Sequence, residues 1–111
     1  MARILHVEDD TAVRHLLLKY LSAHGHSVTS VREVAEARLL VSKVEYDVVI
    51  SDANVDTRGD GIEWVASLGP KDPPAILYCT LGYNQESPSN ATHIPKPELA
   101  QLTEAIDRLW I

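Results

Sequence analysis

The sequence has little of several features that define whole classes of protein. A single cysteine, Cys79, leaves no partner for an internal disulfide, which suits a reducing compartment, and it is expected to be a small buried residue. Only 10 Lys and Arg stand against 16 Asp and Glu, and the formal net charge of −6 disfavours unaided binding to nucleic acid or anionic membrane. No apolar run approaches the roughly 20 residues of a membrane span. Acidic residues from Glu8 onward argue against a signal peptide. We therefore expect a cytoplasmic protein with no direct contact to nucleic acid or membrane.

What the sequence does contain is enough apolar material for one domain. Its 111 residues are 45% hydrophobic and 23% charged, which is an ordinary globular balance. A chain of this size buries roughly two-thirds of its unfolded surface on folding. No internal repeat, low-complexity tract or linker divides it. We expect a single domain over residues 1–111, with no further domain attached.

Segments with the hydrophobic pattern of a buried strand alternate along the chain with segments that have helical spacing. Short apolar runs typical of buried parallel strands occur at 4–7, 26–31, 46–52, 75–79 and 92–94. Apolar residues at helical spacing follow four of these runs, at 13–21, 34–41, 62–68 and 99–109. Alternating strands and helices predict an α/β fold, with a parallel sheet covered on both faces.

Local signals place several helix ends. Asp10 or Thr11 suits the N-cap of the first helix, and Gly25 suits its end. Ser30 and Glu33 stand three apart, which is the spacing of a capping box ahead of the second helix.

The carboxyl ends of the predicted strands carry side chains suited to one chemistry. These are Glu8, Asp9 and Asp10 after the first strand, Asp52 after the third, Thr80 after the fourth and Lys96 after the fifth. Parallel strands end at the same edge of the sheet, so these groups are expected to lie together. Carboxylates suit a hard cation such as Mg²⁺, lysine and threonine suit phosphoryl oxygens, and an aspartate beside a metal can be a nucleophile. Together they predict phosphoryl transfer onto a carboxylate.

These segments resemble the receiver domains of two-component response regulators. The resemblance covers nearly the whole chain and is carried by ILHVEDD at 4–10, YDVVISD at 46–52, Thr80 and the Lys96–Pro97 pair. It implies a CheY-like, flavodoxin-like fold: a doubly wound five-stranded parallel sheet in the order 2-1-3-4-5.

The resemblance also implies an acceptor and a metal site. Asp52 would be the phosphoacceptor, and Mg²⁺ would be held by Glu8, Asp9, Asp52 and the backbone carbonyl of Asn54. The donor would be a sensor histidine kinase or a histidine phosphotransfer protein, and a downstream protein target would read the result. The chain would not be an enzyme in its own right, but an acceptor that assists its own phosphorylation and dephosphorylation.

Further roles follow from the same resemblance. Lys96 and Thr80 would bind the phosphoryl oxygens, and Thr80 and His93 would act as the coupled switch residues. The Lys96–Pro97 peptide bond would be cis.

Departures from the family pattern predict local remodelling. Asp52 and Gly61 lie nine positions apart, one more than is common in the family, which predicts an insertion in this loop. Leu81 stands after Thr80 where a small residue is usual. The short segment between Thr80 and Lys96 contains three breakers of regular structure at Gly82, Pro88 and Pro95, so we expect a loop in place of the family's fourth helix.

Alternative functions use the same residues. A pseudo-receiver would keep the fold and bind partners without phosphorylation, and a small phosphatase would use Asp52 as a covalent nucleophile. The spacing of acidic residues from Asp52 to Glu63 also resembles a calcium-binding EF-hand loop. However, Thr57 stands where that loop needs glycine, and a strand-like run precedes it where a helix is required. The histidines lack metal-ligand spacing, so zinc is not expected.

Overall fold

The computed structural model describes residues 2–53, 55, 60–80, 91–96 and 98–110, and of Thr80 it describes the backbone alone. Within these residues strands and helices alternate as predicted. In chain order the elements are β1 (Arg3–Val7), α1 (Thr11–Ala23), β2 (Ser27–Val31), α2 (Val34–Lys43), β3 (Val48–Ser51), α3 (Asp60–Ala66), β4 (Ala75–Thr80), β5 (Ala91–Lys96) and α4 (Leu99–Trp110).

The five strands form one parallel sheet in the order β2-β1-β3-β4-β5. This confirms the doubly wound, flavodoxin-like arrangement. The register aligns the strand ends: Val7 of β1 pairs with Ser51 of β3, and Thr80 of β4 pairs with Lys96 of β5. The carboxyl ends of these strands therefore lie along one edge of the sheet, where parallel α/β sheets bind their ligands.

Each face of the sheet has its own apolar layer because side chains alternate along every strand. Ile4 and Ile50 pack with α1 and α4 on one face, whereas Leu5 and Val49 pack with α2 and α3 on the other. Cys79 is buried in β4 as predicted, and burial raises the pKa of its thiol to about 11. Among the described residues, no helix combines the length and apolarity that crossing a bilayer requires.

The cap predictions for the N-termini of α1 and α2 had different outcomes. Asp10 caps α1, since its Oδ1 accepts hydrogen bonds from the backbone N–H groups of Ala12 and Val13 at 2.8 and 3.2 Å. The predicted capping box before α2 is wrong. Ser30 lies within β2, where pairing with β1 keeps its backbone extended, and Glu33 is the N-cap, without a side-chain cap hydrogen bond.

Two predicted departures fall largely on residues outside the description. Residues 81–90, between β4 and β5, are among these, so the loop predicted in place of a helix stays a prediction, as does the effect of Leu81. Residues 54 and 56–59, where an insertion is predicted, lie outside it as well. The fifth strand is longer than predicted. It includes Pro95, which an edge strand tolerates because the missing N–H can face away from the sheet.

Candidate functional site

Three carboxylates converge at the carboxyl edge of the sheet. Glu8 and Asp9 follow β1, Asp52 follows β3, and one oxygen from each lies within 4.8 Å of the others. Backbone hydrogen bonds beyond the strand ends hold them there: Glu8 N–H donates to the carbonyl of Val31 and Asp52 N–H to that of Val7. The structure therefore brings together the three side chains that the sequence predicts as metal ligands.

Lys96 reaches this group from the end of β5. Its Nζ lies 2.9 Å from Glu8 Oε2 and 3.6 Å from Asp52 Oδ2. Burial alone would lower the pKa of Lys96, but the hydrogen bond to Glu8 and the charge of Asp52 raise it overall. The ammonium therefore stays charged and serves as a counter-ion to two of the carboxylates.

Glu8 is the most enclosed of the three carboxylates, with 2% of its side chain exposed. Burial raises the pKa of its carboxyl, and nearby Asp52 raises it further, although the hydrogen bond from Lys96 opposes both. Three carboxylates against one ammonium leave the group negative when all are ionised, so its charge favours a cation. An all-oxygen donor set is the one that Mg²⁺ prefers. The residues present therefore fit that ion.

Asp52 has one oxygen held and one directed toward the lysine. Its Oδ1 accepts the N–H of Ala53 at 2.7 Å, and Oδ2 is the atom that faces Lys96. The side chain is 16% exposed, which leaves it accessible from the loop edge. A carboxylate fixed in this way presents Oδ2, the oxygen beside Lys96, for nucleophilic attack.

Arg14, on the first turns of α1, contacts the acidic loop, residues 8–10, from the helix side. Its Nη1 donates to the carbonyls of Glu8 and Asp9 at 2.9 and 3.0 Å, and Nη2 donates to Thr11 Oγ1 at 3.1 Å. The sequence reasoning missed this residue. A basic side chain near a helix N-terminus opposes the helix dipole, and that conflict was the available signal.

Tyr78 lies beneath the lysine and was also missed. Its ring is buried in β4, and Lys96 Nζ is 5.8 Å from the ring centroid. Tyr78 pairs with Ile94, so Lys96 is its diagonal neighbour two residues further along β5. At this distance the ring face attracts an ammonium. Tyr78 therefore supports Lys96 from the core side of the site.

His6 is a buried histidine in the layer below the site. Its Nδ1 is 3.5 Å from Ser30 Oγ, and within the described part of the chain its buried Nε2 has no hydrogen-bond partner. Burial, together with the charges of Lys96 and Arg14, lowers the pKa of His6 to about 3. The His6 ring of the folded protein therefore stays neutral around the pH at which the same histidine in the unfolded chain begins to bind a proton.

This depressed pKa predicts a pH-dependent stability difference between the wild type and a His6→Val variant. Below about pH 6.5 the unfolded wild type binds a proton that the folded state refuses, which costs about 1.4 kcal/mol per pH unit. From about pH 7.5 to about pH 5, the free energy of unfolding should shift by roughly 2 kcal/mol in favour of the variant. Urea denaturation at the two pH values measures this shift.

The wild type and His6→Val must be compared at each pH, because Glu8 changes the free energy of unfolding with pH in the opposite direction from His6. Its raised pKa makes the folded state gain a proton as the pH falls, and this contribution is common to both proteins. A His15→Gln variant, changed at an exposed position on α1, is the matched control and should track the wild type. Parallel pH dependence in the wild type and His6→Val would contradict the prediction.

The remaining predicted residues are only partly described. Thr80 ends β4 and pairs with Lys96, but its side chain lies outside the description, as do Asn54 and Pro97. Three features therefore stay predictions: metal binding by the Asn54 carbonyl, phosphoryl binding by the Thr80 hydroxyl, and the cis Lys96–Pro97 bond. His93 is exposed on β5, and its switch role is likewise untested.

The acidic spacing typical of a calcium loop does not produce a cluster among the described residues. Asp52 groups with Glu8 and Asp9. Asp60 instead accepts the N–H of Val55 at 2.6 Å, and Glu63 lies within α3.

Comparisons with known proteins give matches in both sequence and fold. The family model described as the response regulator receiver domain matches residues 4–106. Over 78 residues the chain is 38% identical to the regulatory protein VirG of Rhizobium radiobacter, covering 69% of this chain and 29% of VirG. It is 35% identical to the protein PetR of Rhodobacter capsulatus over 77 residues, which covers 69% of this chain and 32% of PetR. The chain spans less than a third of the length of these curated relatives.

Solved structures are similar over nearly the whole chain. The response regulator TrrA of Thermotoga maritima, solved with Mg²⁺ and BeF, has a TM-score of 0.84 at 25% identity, covering 98% of this chain and 99% of TrrA. A complex of the histidine kinase ThkA with TrrA gives a TM-score of 0.87 at 26% identity, covering all of both chains. CheY4 of Vibrio cholerae shares the fold, with a TM-score of 0.82 at 24% identity over 98% of each chain.

Proposed function

Because the chain belongs to the family of response regulator receiver domains, we propose that Asp52 accepts a phosphoryl group from the phosphohistidine of a kinase or a histidine phosphotransfer protein. The observation that carries this proposal is the position of Asp52 Oδ2, 3.6 Å from Lys96 Nζ and within the group of Glu8, Asp9 and Asp52. A nucleophilic oxygen, a cation for phosphoryl oxygens and an acidic pocket for a divalent ion are the parts that phosphoryl transfer needs.

In the proposed reaction, Asp52 Oδ2 forms a bond to phosphorus as the phosphorus–nitrogen bond of the donor breaks. The electron pair of that bond stays on the donor imidazole, and the product is an acyl phosphate. Mg²⁺, held by Glu8, Asp9, Asp52 and the carbonyl of Asn54, would supply charge neutralisation for the transferring group. Lys96 would leave Glu8 and donate to a phosphoryl oxygen, which is a short move for a flexible ammonium.

The switch would follow from that exchange of partners. An added phosphoryl group brings negative charge and strong acceptor oxygens, and it competes with Glu8 for Lys96. Thr80 would bind another phosphoryl oxygen, and His93, three residues before Lys96 on the neighbouring strand β5, would respond to its movement. We propose that a downstream protein reads the altered surface, and that the chain acts through protein contacts and not as a turnover enzyme.

The donor and the location are parts of the same proposal. TrrA, similar to this chain over its whole length, is known in complex with the histidine kinase ThkA, which supports a histidine kinase as partner. The single cysteine needs no oxidising compartment, which supports a cytoplasmic location.

The test is intact mass spectrometry after incubation with acetyl phosphate, with Mg²⁺ or with excess chelator. We expect one added phosphoryl group that requires the metal and is lost on treatment with hydroxylamine, as an acyl phosphate should be. Absence of any adduct, repeated with a phosphohistidine donor, would overturn the proposal and favour a phosphorylation-independent interaction module. Many turnovers of acetyl phosphate per chain would indicate a phosphatase instead.

A further inference from the structure

The loop from Glu8 to Thr11 connects β1 to α1. The carbonyl of Asp10 accepts the backbone N–H of Arg14, but among the described residues the carbonyls of Glu8 and Asp9 have no backbone partner. Glu8 N–H still pairs with β2, but the carbonyls of Glu8 and Asp9 lie beyond the strand register. Arg14 supplies both with a donor, and its second nitrogen binds Thr11 at the start of the helix. One guanidinium therefore joins Glu8, Asp9 and Thr11.

We propose that Arg14 is a positioning residue for the metal site, fixing this loop so that the carboxylates of Glu8 and Asp9 converge on Asp52. The proposal rests on the proposed function, because it presumes that the three carboxylates bind a divalent cation. Arg14 acts through the backbone of the two ligand residues and does not itself touch the ion.

The way Arg14 binds the loop leaves the carboxylates free. Among the described residues, no ion pair within 4.0 Å joins Arg14 to Glu8 or Asp9, and the ammonium of Lys96 is the cation on Glu8. A guanidinium that bound the carboxylates would compete with the metal. By binding the carbonyls, Arg14 orients both side chains without itself occupying their carboxylate oxygens.

The planar fork of arginine is what this arrangement requires. Its donors have fixed directions, so one side chain can bind two carbonyls and a hydroxyl at once. A lysine ammonium carries the same charge on a flexible stem and cannot hold all three in one geometry. Replacing groups that orient metal ligands typically weakens metal binding by about 10- to 100-fold.

If Arg14 acted only through its charge, the expected change in Mg²⁺ affinity on its removal would have the opposite direction. A positive charge near a cation site opposes cation binding, so its removal should strengthen Mg²⁺ affinity if Arg14 acts only as a charge. If Arg14 positions the ligands, its removal should weaken that affinity. The two roles are therefore separated by the direction of the change.

The experiment is calorimetric titration of the full chain with Mg²⁺, comparing the wild type with Arg14→Gln and Arg14→Lys. We expect both variants to bind Mg²⁺ at least about 10-fold more weakly than the wild type. Arg38→Gln removes an equivalent charge from an exposed position on α2 and should leave the affinity within about twofold. Circular dichroism at the titration temperature confirms that each protein is folded.

A loss of stability by itself should not move the affinity. Gly25→Ala provides this control, because Gly25 has φ +87° just beyond α1 and a side chain there strains the backbone without touching the loop. It should lower Tm and leave Mg²⁺ binding unchanged.

Unchanged or tighter binding by Arg14→Gln would overturn the positioning role, as would wild-type affinity in Arg14→Lys. In those cases Mg²⁺ binding by the wild type leaves the proposed function standing. Failure of the wild type itself to bind Mg²⁺ would overturn both proposals.

Discussion

An Asp52→Asn variant is expected to take up no phosphoryl group from acetyl phosphate and Mg²⁺ under conditions that label the wild type. Oδ2, the oxygen beside Lys96, becomes an amide nitrogen, which cannot attack phosphorus, and one of the three carboxylates of the proposed metal site is lost. Intact mass spectrometry over a time course gives the labelled fraction. We expect a loss of at least about 100-fold in the labelling rate, in line with removal of a covalent nucleophile.

The same substitution should not unfold the protein. Asn keeps a carbonyl oxygen for the N–H of Ala53, and removing one charge relieves repulsion from Glu8 and Asp9. Tm without metal should therefore equal or exceed that of the wild type. Asp107→Asn, an exposed change on α4, is the matched control and should label normally. Wild-type labelling of Asp52→Asn would place the acceptor at another residue.

Gly61→Ala is expected to be the most damaging substitution of a small residue near the site. A Cβ at position 61 would overlap the backbone carbonyl oxygen of Asp52, and Ala53 O would be 3.0 Å away. Both obstacles are backbone atoms that cannot rotate aside. The N–H groups of Gly61 and Ile62 also bind Ala53 O, so α3 is tied to the segment that carries Asp52.

We expect Gly61→Ala to lower the free energy of unfolding by at least about 2 kcal/mol, or roughly 10 °C in Tm. The labelling rate should fall by at least about 10-fold in the fraction that stays folded, because Asp52 must move with its backbone. Thermal unfolding and mass spectrometry measure the two effects. Gly69→Ala is the matched control, since its Cβ would meet nothing closer than Asp72 Oδ2 at 3.8 Å. Equal stability of the two variants would contradict this account.

The fold was predictable because its determinants are periodic. Strand-like runs such as 46–52 and helical stripes such as 99–109 report burial directly, and parallel sheets admit few topologies. The convergence of Glu8, Asp9 and Asp52 followed from the rule that parallel strands end at one edge. Ser30 shows the limit of local signals: its spacing from Glu33 favoured a cap, but pairing with β1 held it in a strand.

The supporting residues could not be predicted from pattern alone. Arg14 acts through hydrogen bonds to carbonyls, which every residue possesses, so nothing in the spacing identifies its partners. Tyr78 lies at a position that any apolar residue could fill. Its contribution to the site is the contact of its ring with the Lys96 ammonium. Such contacts depend on side-chain directions that only the three-dimensional structure defines.

The ion pair between Lys96 and Glu8 joins residues 88 positions apart, with β3 and β4 between them in the sheet. During synthesis on the ribosome, the acidic loop and Asp52 emerge long before Lys96, their counter-ion. Until β5 has been made, Glu8 has no ammonium beside it, and burying its charge without one costs free energy. The site is thus completed only once β5 has been made, and a nascent receiver that stops short of this strand cannot hold Asp52 and Lys96 together.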